Sequence, residues 1–245
     1  MKKFGLIGYP LGHSFSKKYF TEKFHQLGLD GHVYDLFEMP DISLFLKVWD
    51  DLEVCGVNVT VPHKQSVKPF LSRLDPSAEK VGAVNVIKRV GTELIGYNSD
   101  YYGFKSSLEN WLPNTSLKAL VLGTGGSSKA VKAALADLQI PFEMVSRRRA
   151  EGTLTYDDLN EDETVFEAFK LIINTTPLGM HPNVTGKAEL PYQALDGSCF
   201  LYDLVYNPDM TAFMQAGYER GASVKNGLEM LQLQAEKSWD IWTAK

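Results

Sequence analysis

The 245-residue chain is predicted to adopt an α/β fold with two domains. Short apolar segments typical of strands alternate with segments of helical spacing along nearly the whole sequence, which favours strands that pair in parallel. The alternation starts afresh after residue 100, where a second series of helices and strands begins. With 44% hydrophobic residues, a chain of this length can fill two packed cores.

The first domain is expected over residues 1–100, with a mostly parallel sheet. Its strands are predicted at 3–8, 33–37, 56–60 and 83–88, and its helices at 16–27, 41–51 and 62–74. Pro62 suits the first turn of the third helix, because its missing N–H would be unpaired there in any case. Two short apolar segments on either side of Gly91 indicate a hairpin, so an antiparallel strand is expected at an edge of this sheet.

The second domain is expected over residues 101–224. Its helices are predicted at 102–112 and 127–138, and its strands at 117–122, 142–146, 171–174 and 200–205. The acidic segment 157–163 is expected to form a surface loop. A last helix, 225–245, begins with a capping-box variant in which Asn226 is the cap and Glu229 stands three residues later.

Composition argues against several kinds of protein. The net charge of −5 and the lack of a Lys/Arg block give a nucleic-acid-binding surface little support. No segment approaches the ~20 apolar residues that span a bilayer, so no membrane partner is expected. Cys55 and Cys199 are not in a Cys-x-x-Cys pair, which indicates a reducing cytoplasm and no disulfide framework. The five histidines lack ligand spacing, so we expect no metal.

A glycine-rich segment follows the predicted strand 117–122 and opens a helix, as a dinucleotide-binding loop must. The glycines permit a tight turn and let the backbone approach a pyrophosphate at the helix N-terminus. Such turns are also common structural features of α/β proteins, so the motif alone is a modest signal. It predicts a Rossmann-like second domain whose cofactor loop contains Gly123, Thr124, Gly125, Gly126 and Ser127.

The end of the next strand bears on which dinucleotide is bound. NAD-binding proteins usually carry an Asp or Glu about 20 residues after the glycine loop, where it holds the ribose 2′-hydroxyl. Here the strand 142–146 ends in Ser146, Arg147, Arg148 and Arg149. Guanidinium groups bind a phosphate bidentately, so this turn favours NADP(H) as the cofactor. The alternative is a solvated basic turn without a ligand.

Polar residues also mark the ends of predicted strands in the first domain, which is where an open α/β sheet keeps its ligand site. Each of them, taken singly, is as readily explained as a helix cap or a turn residue, and Ser16 in particular is a candidate N-cap. The set contains Ser14, Ser16, Asn58, Thr60, Lys64, Asn85, Asn98 and Asp100.

Together these segments resemble the shikimate dehydrogenase family over nearly the whole chain. The family's Ser-x-Ser element, its Asn-Val-Thr-x-Pro-x-Lys signature, its Gly-Ala-Val-Asn and its Asn-Thr-Asp are similar to residues 14–16, 58–64, 82–85 and 98–100. Further matches are residues 174–180, 203–206 and Gly227-x-x-Met230-Leu231-x-x-Gln234. The chain departs from the family at Lys17, where Pro is usual, at Phe20-Thr21 in place of His-Asn, and at Ser146 in place of Asn.

The resemblance implies reversible reduction of 3-dehydroshikimate to shikimate with NADPH, a step of chorismate and aromatic amino acid biosynthesis. By the same resemblance, Lys64 and Asp100 would be catalytic, and the last helix would return to the first domain across a cleft. Substrate binding would involve Ser14, Ser16, Asn58, Thr60, Asn85, Asn98, Tyr206 and Gln234. The cofactor would also contact Thr175, Leu204, Gly227 and Met230.

Two other functions stay open at this point. The first is a quinate or quinate/shikimate dehydrogenase on the same scaffold, with NAD as its cofactor. The second is a non-catalytic NADP-sensing module, whose expected signature would be an eroded Lys–Asp pair. A small-molecule substrate is the expected partner, and the chain is expected to be a monomer or a homodimer.

Overall fold

Twelve strands form two separate six-stranded sheets in the computed structural model, which describes residues 1–12 and 14–244. Contacts divide the chain into two compact units. The first unit contains Met1–Tyr101 together with the residues from Gln234 onward, and the second contains Tyr102–Leu233. His13, and the last position of the predicted helix 225–245, lie outside the described residues.

The first unit has six strands and three helices of its own. The strands are β1 (Lys2–Gly8), β2 (His32–Glu38), β3 (Val54–Val59), β4 (Arg73–Leu74), β5 (Val86–Val90) and β6 (Glu93–Tyr97), and the helices are α1 (Phe15–Gln26), α2 (Phe45–Val48) and α3 (Pro76–Val81). Their order in the sheet is β2-β1-β3-β5-β6-β4, and β5 runs antiparallel to both its neighbours. The sheet is therefore mostly parallel, as predicted.

Both faces of this sheet are covered, since neighbouring strand residues belong to different cores. Phe4 and Val86 pack in one cluster with Phe20 of α1, whereas Ile7 and Ile87 pack in the other. Buried residues on both faces explain the continuous apolar segments of β1 and β3.

Helices α4 (Ser99–Trp111) and α9 (Leu228–Thr243) each contain a unit boundary. Asn226 Oδ1 accepts a hydrogen bond from the backbone N–H of Leu228 at 3.1 Å, so its side chain satisfies an N–H of the first turn of α9 from a position two residues before the helix. The Glu229 carboxylate bonds to Asn110 and Lys225, which differs from the predicted capping box with Asn226. At the other end of α9, the Trp242 indole donates to the carbonyl of Ile87 at 3.0 Å and packs in the same cluster as Phe4.

The second unit is a parallel sheet with helices. Its strands are β7 (Ala119–Leu122), β8 (Phe142–Ser146), β9 (Thr153–Thr155), β10 (Leu171–Asn174), β11 (Phe200–Asp203) and β12 (Ser223–Lys225), and its own helices are α5 (Gly126–Asp137), α6 (Tyr156–Glu161), α7 (Val165–Ala168) and α8 (Ala212–Tyr218). The order β12-β11-β10-β7-β8-β9, with all pairs parallel, is that of a Rossmann fold. The direction of winding reverses between β7 and β10, and ligands bind at such a switch point.

Three predictions about elements were wrong. Residues 62–74 do not form a helix but consecutive turns, the 3₁₀ turn Lys68–Phe70 and strand β4. Pro69 accounts for this, because it cannot donate the N–H that a continuous helix needs in its middle. The antiparallel strand β5 lies inside the sheet, and β4 occupies the edge.

The third wrong prediction is the surface loop at 157–163, because most of that segment is helix α6. Thr155 Oγ1 accepts from the Asp158 N–H at 3.2 Å, and Asp158 Oδ2 accepts from the Thr155 N–H at 2.7 Å. This is a capping box with Asp in the third position, and acidic residues in a first helical turn interact favourably with the helix dipole. The acidic character that suggested a loop is thus a helix-start signal.

Among the described residues, no helix combines the length and the apolar character needed to cross a membrane.

Candidate active site

Polar residues predicted for substrate binding lie at one end of the strands of the first unit's sheet, which we call the polar edge. Strands β3 and β6 end at this edge, and the antiparallel β5 begins there. The Thr60 N–H donates to the carbonyl of Ile7 at 2.8 Å, and the Asn85 N–H donates to the carbonyl of Tyr97 at 3.0 Å. The predicted residues brought together along this edge are Asn58, Thr60, Asn85 and Asn98.

Lys64 and Asp100 form an ion pair near the same edge. Lys64 lies in the turns after β3, where its carbonyl accepts from the Val84 N–H at 2.8 Å. Asp100 lies in the first turn of α4, a helix that begins three residues earlier than predicted. Lys64 Nζ donates to Asp100 Oδ2 at 2.5 Å, with the side chains 22% and 17% exposed. The pair is therefore sheltered yet open to a small molecule.

A buried hydrogen-bond network surrounds Asn85. Its Nδ2 donates to Ser99 Oγ at 3.0 Å, and its Oδ1 accepts from the Ser99 N–H at 2.6 Å. Ser99 Oγ also reaches Gln234 Oε1 of α9 at 3.3 Å. The structure thus brings Gln234 into contact with Ser99, which is itself bonded to Asn85.

Asn58 is held by a second part of this network. Tyr34 OH donates to Asn58 Oδ1 at 2.8 Å, and Asn58 Nδ2 donates to Ser238 Oγ at 2.9 Å. Burial raises the pKa of Tyr34 well above its usual range, opposed by a hydrogen bond with the Ser16 side chain. Tyr34 thus stays a neutral phenol that links Ser16 to Asn58.

The two candidate serines after β1 have different local roles. Ser14 is the N-cap of α1, since its Oγ accepts from the Lys17 N–H at 3.2 Å. The capping role considered for Ser16 therefore belongs to Ser14. Ser16 lies in the first turn of α1 and faces Tyr34.

Three residues of this site escaped the sequence analysis: Tyr34, Ser99 and Ser238. Ser99 and Ser238 are completely buried. Ser238 stands four residues after Gln234, so it lies on the same face of α9 as Gln234. Ser238 also stands three residues after Ala235 and four before Trp242, and a hydroxyl at that spacing within the apolar residues of α9 was a signal that could have identified it. Tyr34 gave no such signal, because an aromatic residue is ordinary in a strand.

The second unit contains a cavity of about 790 Å³ at the carboxyl ends of β7, β8 and β10. This is the switch point of the sheet. Gly123 in its wall has φ +98°, a conformation that favours glycine, and a Cβ there would lie 2.8 Å from Thr176 Cγ2. The predicted cofactor residues that line the cavity are Gly123, Thr124, Gly125, Ser146, Arg147, Arg148 and Thr175.

The other cofactor predictions fall outside the lining of this cavity. Gly126 and Ser127 form the first turn of α5 behind the glycine loop. The backbones of Leu204 and Gly227 are in close contact, since a Cβ on Gly227 would lie 2.1 Å from the Leu204 carbonyl oxygen. Met230 is buried in α9.

Tyr206 follows Leu204 in the second unit, whereas the other predicted substrate residues belong to the first unit. Burial raises the pKa of the Tyr206 phenol, so this side chain stays a neutral donor.

The cavity wall fits a phosphorylated dinucleotide. Ideal Cβ atoms on Gly125 and Gly126 would meet nothing within 4 Å, which leaves the α5 N-terminus open to a pyrophosphate. Arg147 and Arg148 line the cavity, whereas Arg149 forms an ion pair with Asp158 and does not. The structure therefore sets Arg149 apart from the two predicted cofactor residues Arg147 and Arg148, which both line the cavity and are not ranked by it. The other residues of the wall were not predicted as cofactor contacts, and they are Tyr156, Thr176, Pro177, Leu178, Lys187, Ala188 and Glu189.

Comparisons with known proteins agree with this geometry. Residues 6–87 match the family model described as "Shikimate dehydrogenase substrate binding domain". The chain is 36% identical over its full length to "Shikimate dehydrogenase (NADP(+))" of Bacillus subtilis strain 168, and the match covers 93% of that protein.

Two solved structures show the same fold over all of this chain. The shikimate 5-dehydrogenase of Thermus thermophilus in complex with NADP(H) and shikimate has a TM-score of 0.88 and 28% identity, with 94% of its chain covered. That of Listeria monocytogenes in complex with shikimate and NAD has a TM-score of 0.89 and 27% identity, with 92% covered.

Proposed function

Because this chain belongs to the shikimate dehydrogenase family, we propose that it catalyses the reversible NADP-dependent reduction of 3-dehydroshikimate to shikimate. It is then an oxidoreductase acting on a CH–OH group, and it serves chorismate and aromatic amino acid biosynthesis. The observation that carries the proposal is the ion pair of Lys64 with Asp100 at the polar edge of the first unit.

Lys64 and Asp100 act on the oxygen of the group that is reduced or oxidised. Bound NADPH supplies the hydride, so the protein has to position the carbonyl and manage one proton. The Lys64 ammonium stabilises the negative charge that develops on the carbonyl oxygen and delivers a proton to it. Asp100 orients that ammonium through the 2.5 Å hydrogen bond and accepts a hydrogen bond from the substrate hydroxyl.

Substrate recognition rests on neutral donors and acceptors. In the proposal Ser14, Ser16 and Tyr206 bind the carboxylate, and Thr60, Asn85 and Gln234 read the ring hydroxyls. Such readout discriminates steeply, because a missing hydroxyl leaves buried polar groups unpaired.

Asn58 and Asn98 have a supporting role in this proposal. Asn98 Nδ2 donates to the Ala83 carbonyl at 2.9 Å, and its Oδ1 accepts from the Tyr101 N–H at 3.0 Å. These two bonds fix the orientation of the Asn98 carboxamide, so in the proposal Asn98 lies close to the substrate and holds the neighbouring residues in place. Asn58, bonded to Tyr34 and Ser238, is held in the same way.

The cofactor is assigned to the cavity of the second unit. Arg147 and Arg148 bind the 2′-phosphate, with Ser146 beside them, and the glycine loop with Thr124 and Ser127 holds the pyrophosphate. Thr175 supports that loop, since its Oγ1 donates to the Leu122 carbonyl at 2.7 Å. Leu204, Gly227 and Met230 contact the nicotinamide part of the cofactor in this proposal.

The same scaffold also suits a quinate dehydrogenase that uses NAD, and the Listeria enzyme was solved with NAD. The two arginines on the cavity wall favour NADP here. A non-catalytic sensor is disfavoured, because the Lys64–Asp100 pair is intact.

A reducing compartment such as the cytoplasm stays a prediction, with both cysteines present as free thiols. A monomeric or homodimeric state also stays a prediction.

The test is absorbance at the reduced-nicotinamide band after purified protein is mixed with shikimate and NADP, then with NAD, and with quinate in place of shikimate. The highest kcat/KM is expected for shikimate with NADP. A higher kcat/KM for quinate with NAD would replace the proposal by its rival. Binding of NADPH without turnover of either substrate would favour the sensor.

A further inference from the structure

Asp203 is a completely buried carboxyl group with no part in the proposed chemistry. It ends strand β11 and receives three hydrogen bonds from different segments. Asn174 Nδ2 donates to its Oδ1 at 2.9 Å, the Val205 N–H to the same oxygen at 3.0 Å, and Thr211 Oγ1 to its Oδ2 at 2.6 Å. A buried carboxyl group with three donors is a costly feature, and such groups are retained where they fix a specific arrangement.

The bond to Asp203 fixes which way the Asn174 carboxamide points. Because Asn174 Nδ2 donates to Asp203, Asn174 Oδ1 points toward Thr176. It accepts hydrogen bonds from the Thr176 backbone N–H at 3.0 Å and from Thr176 Oγ1 at 2.6 Å. Thr176 Oγ1 in turn accepts from the Leu178 N–H at 3.3 Å. Thr176 and Leu178 both line the nucleotide cavity, so Asp203 reaches that wall through Asn174.

The same carboxyl group also holds the segment proposed to meet the nicotinamide. Its bond to the Val205 N–H sets the turn that follows β11, and the Leu204 N–H donates to the Asn174 carbonyl at 3.0 Å. The Val205 carbonyl then accepts from the Gly227 N–H at 3.2 Å. Thus the wall of the nucleotide cavity at Thr176 and Leu178 and the turn proposed to contact the nicotinamide are both held by Asp203.

We propose that Asp203 is a positioning residue for the cofactor, which acts through Asn174 and Val205 on the wall at 175–178 and on the turn at 204–206. This inference rests on the proposed function, because it deepens the assignment of the second unit to NADP. Burial raises the pKa of Asp203 to about 6 in spite of the three donors, which agrees with a group kept for position rather than for stability.

The test measures the Kd of NADPH for two variants at Asp203. Binding is monitored through the fluorescence of NADPH itself, in the absence of substrate. Asp203→Asn keeps the acceptor for Asn174 and Val205, and its new N–H₂ can donate to Thr211. Asp203→Leu keeps the branched shape of the side chain, although it is larger, and removes every acceptor. We expect Asp203→Leu to raise the Kd at least tenfold and Asp203→Asn to raise it less than threefold.

The matched control is Asp196→Leu. Asp196 also caps a turn of the second unit, where its Oδ1 accepts from the Ser198 N–H at 2.8 Å, but it lies outside the cavity lining. Its Kd for NADPH should equal that of the wild type, even if the protein is less stable. The proposal is wrong if folded Asp203→Leu binds like the wild type, or if Asp203→Asn binds as weakly as Asp203→Leu.

A second pair of variants serves if Asp203→Leu does not fold. Thr211→Val removes the donor to Asp203 Oδ2, whereas Thr211→Ser keeps it. We expect the Kd to rise at least threefold in the first and to stay within twofold in the second, and equal values would overturn the proposal. Turnover of shikimate by the wild type is measured separately, so wild-type binding without turnover contradicts the proposed function and leaves the role of Asp203 testable.

Discussion

The Lys64 ammonium donates a 2.5 Å hydrogen bond to the carboxylate of Asp100, 36 residues further along the chain. The two residues come from different elements, the turns after β3 and the first turn of α4. Neither helix packing nor strand pairing requires a charged pair at this place. Its partial exposure at a polar sheet edge is what a proton-transfer site needs.

Lys64→Ala removes the proposed proton donor. We expect kcat to fall about 10²- to 10⁴-fold, the range typical of a lost general acid. The KM for shikimate should change much less, since the lysine acts mainly in the transition state. Lys47→Ala, an exposed lysine of α2, is the control in steady-state assays. A kcat close to the wild-type value would contradict the role of Lys64.

Arg147→Ser combined with Arg148→Ser tests cofactor selectivity. Because the two guanidinium groups are proposed to bind the 2′-phosphate, the ratio of kcat/KM for NADP over NAD should fall at least about tenfold. Arg149→Ser should leave the ratio unchanged, since its guanidinium is bonded to Asp158. If Arg149→Ser lowers the ratio as much as the double substitution, the assignment of the three arginines is wrong.

Gly125→Ala separates ligand contact from folding. A Cβ here meets no protein atom within 4 Å, so the thermal midpoint of unfolding should stay unchanged. The Kd for NADPH should rise severalfold, because the methyl group occupies space at the α5 N-terminus where a phosphate would approach. Gly31→Ala, where a Cβ is equally free, is the control. Unchanged NADPH affinity in Gly125→Ala would place the pyrophosphate elsewhere.

Ser238→Ala tests the buried network around Asn58. It leaves Asn58 Nδ2 with a longer bond of 3.3 Å to the Asn85 carbonyl. The free energy of unfolding in urea should fall by about 1–3 kcal/mol, as for a buried donor that loses its partner. The KM for shikimate should rise, whereas the KM for NADP should not.

The matched control for this variant is Thr243→Ala. Thr243 Oγ1 donates to the Trp239 carbonyl four residues earlier at 2.8 Å, as Ser238 Oγ does to Gln234, but on the surface. Its effect on unfolding should stay within about 0.5 kcal/mol. If both variants lose the same free energy of unfolding, the buried network around Asn58 does not stabilise the fold.

The pH dependence of stability should report on Asp203. Its folded-state pKa of about 6 lies above the ordinary value of 3.8, so folding takes up a proton between these two values. Its contribution to stability is therefore full below pH 4 and is lost as the pH rises through 6. The loss amounts to roughly 3 kcal/mol for a shift of this size.

Asp203→Asn cannot titrate, so it should gain stability relative to the wild type as the pH rises from 4.5 to 7.5. Urea unfolding at several pH values measures the difference. A constant difference across this range would mean that the buried carboxyl group does not titrate as described.

Much of the fold followed from local sequence patterns. Strands 142–146 and 171–174 were predicted with their observed bounds, because each is an apolar segment between clear turn signals. The helix predicted at 62–74 was wrong, because the helical spacing of its apolar residues was given more weight than Pro69. The helix at 156–161 was missed because its capping box uses Asp instead of Glu or Gln.

For the site, sequence motifs named residues but not their partners. Nothing in the sequence pairs Tyr34 with Asn58, or Asp203 with Asn174, since such pairs arise from strand order and burial. The separation of Arg149 from Arg147 and Arg148 depends on Asp158, whose place is set by the helix that was not predicted. Which residues contact substrate and cofactor stays a prediction.

Helix α9 has a consequence for how the protein is made. Trp242 fills the core around Phe4 and Phe20, and Ser238 closes the network of Asn58, yet both are synthesised long after the strands they meet. The first unit therefore cannot complete its core on the ribosome until the second unit has been translated. A nascent chain that already contains β1 to β6 therefore exposes an apolar sheet face until α9 has been synthesised, and exposed apolar surface of this kind makes a folding intermediate prone to aggregate.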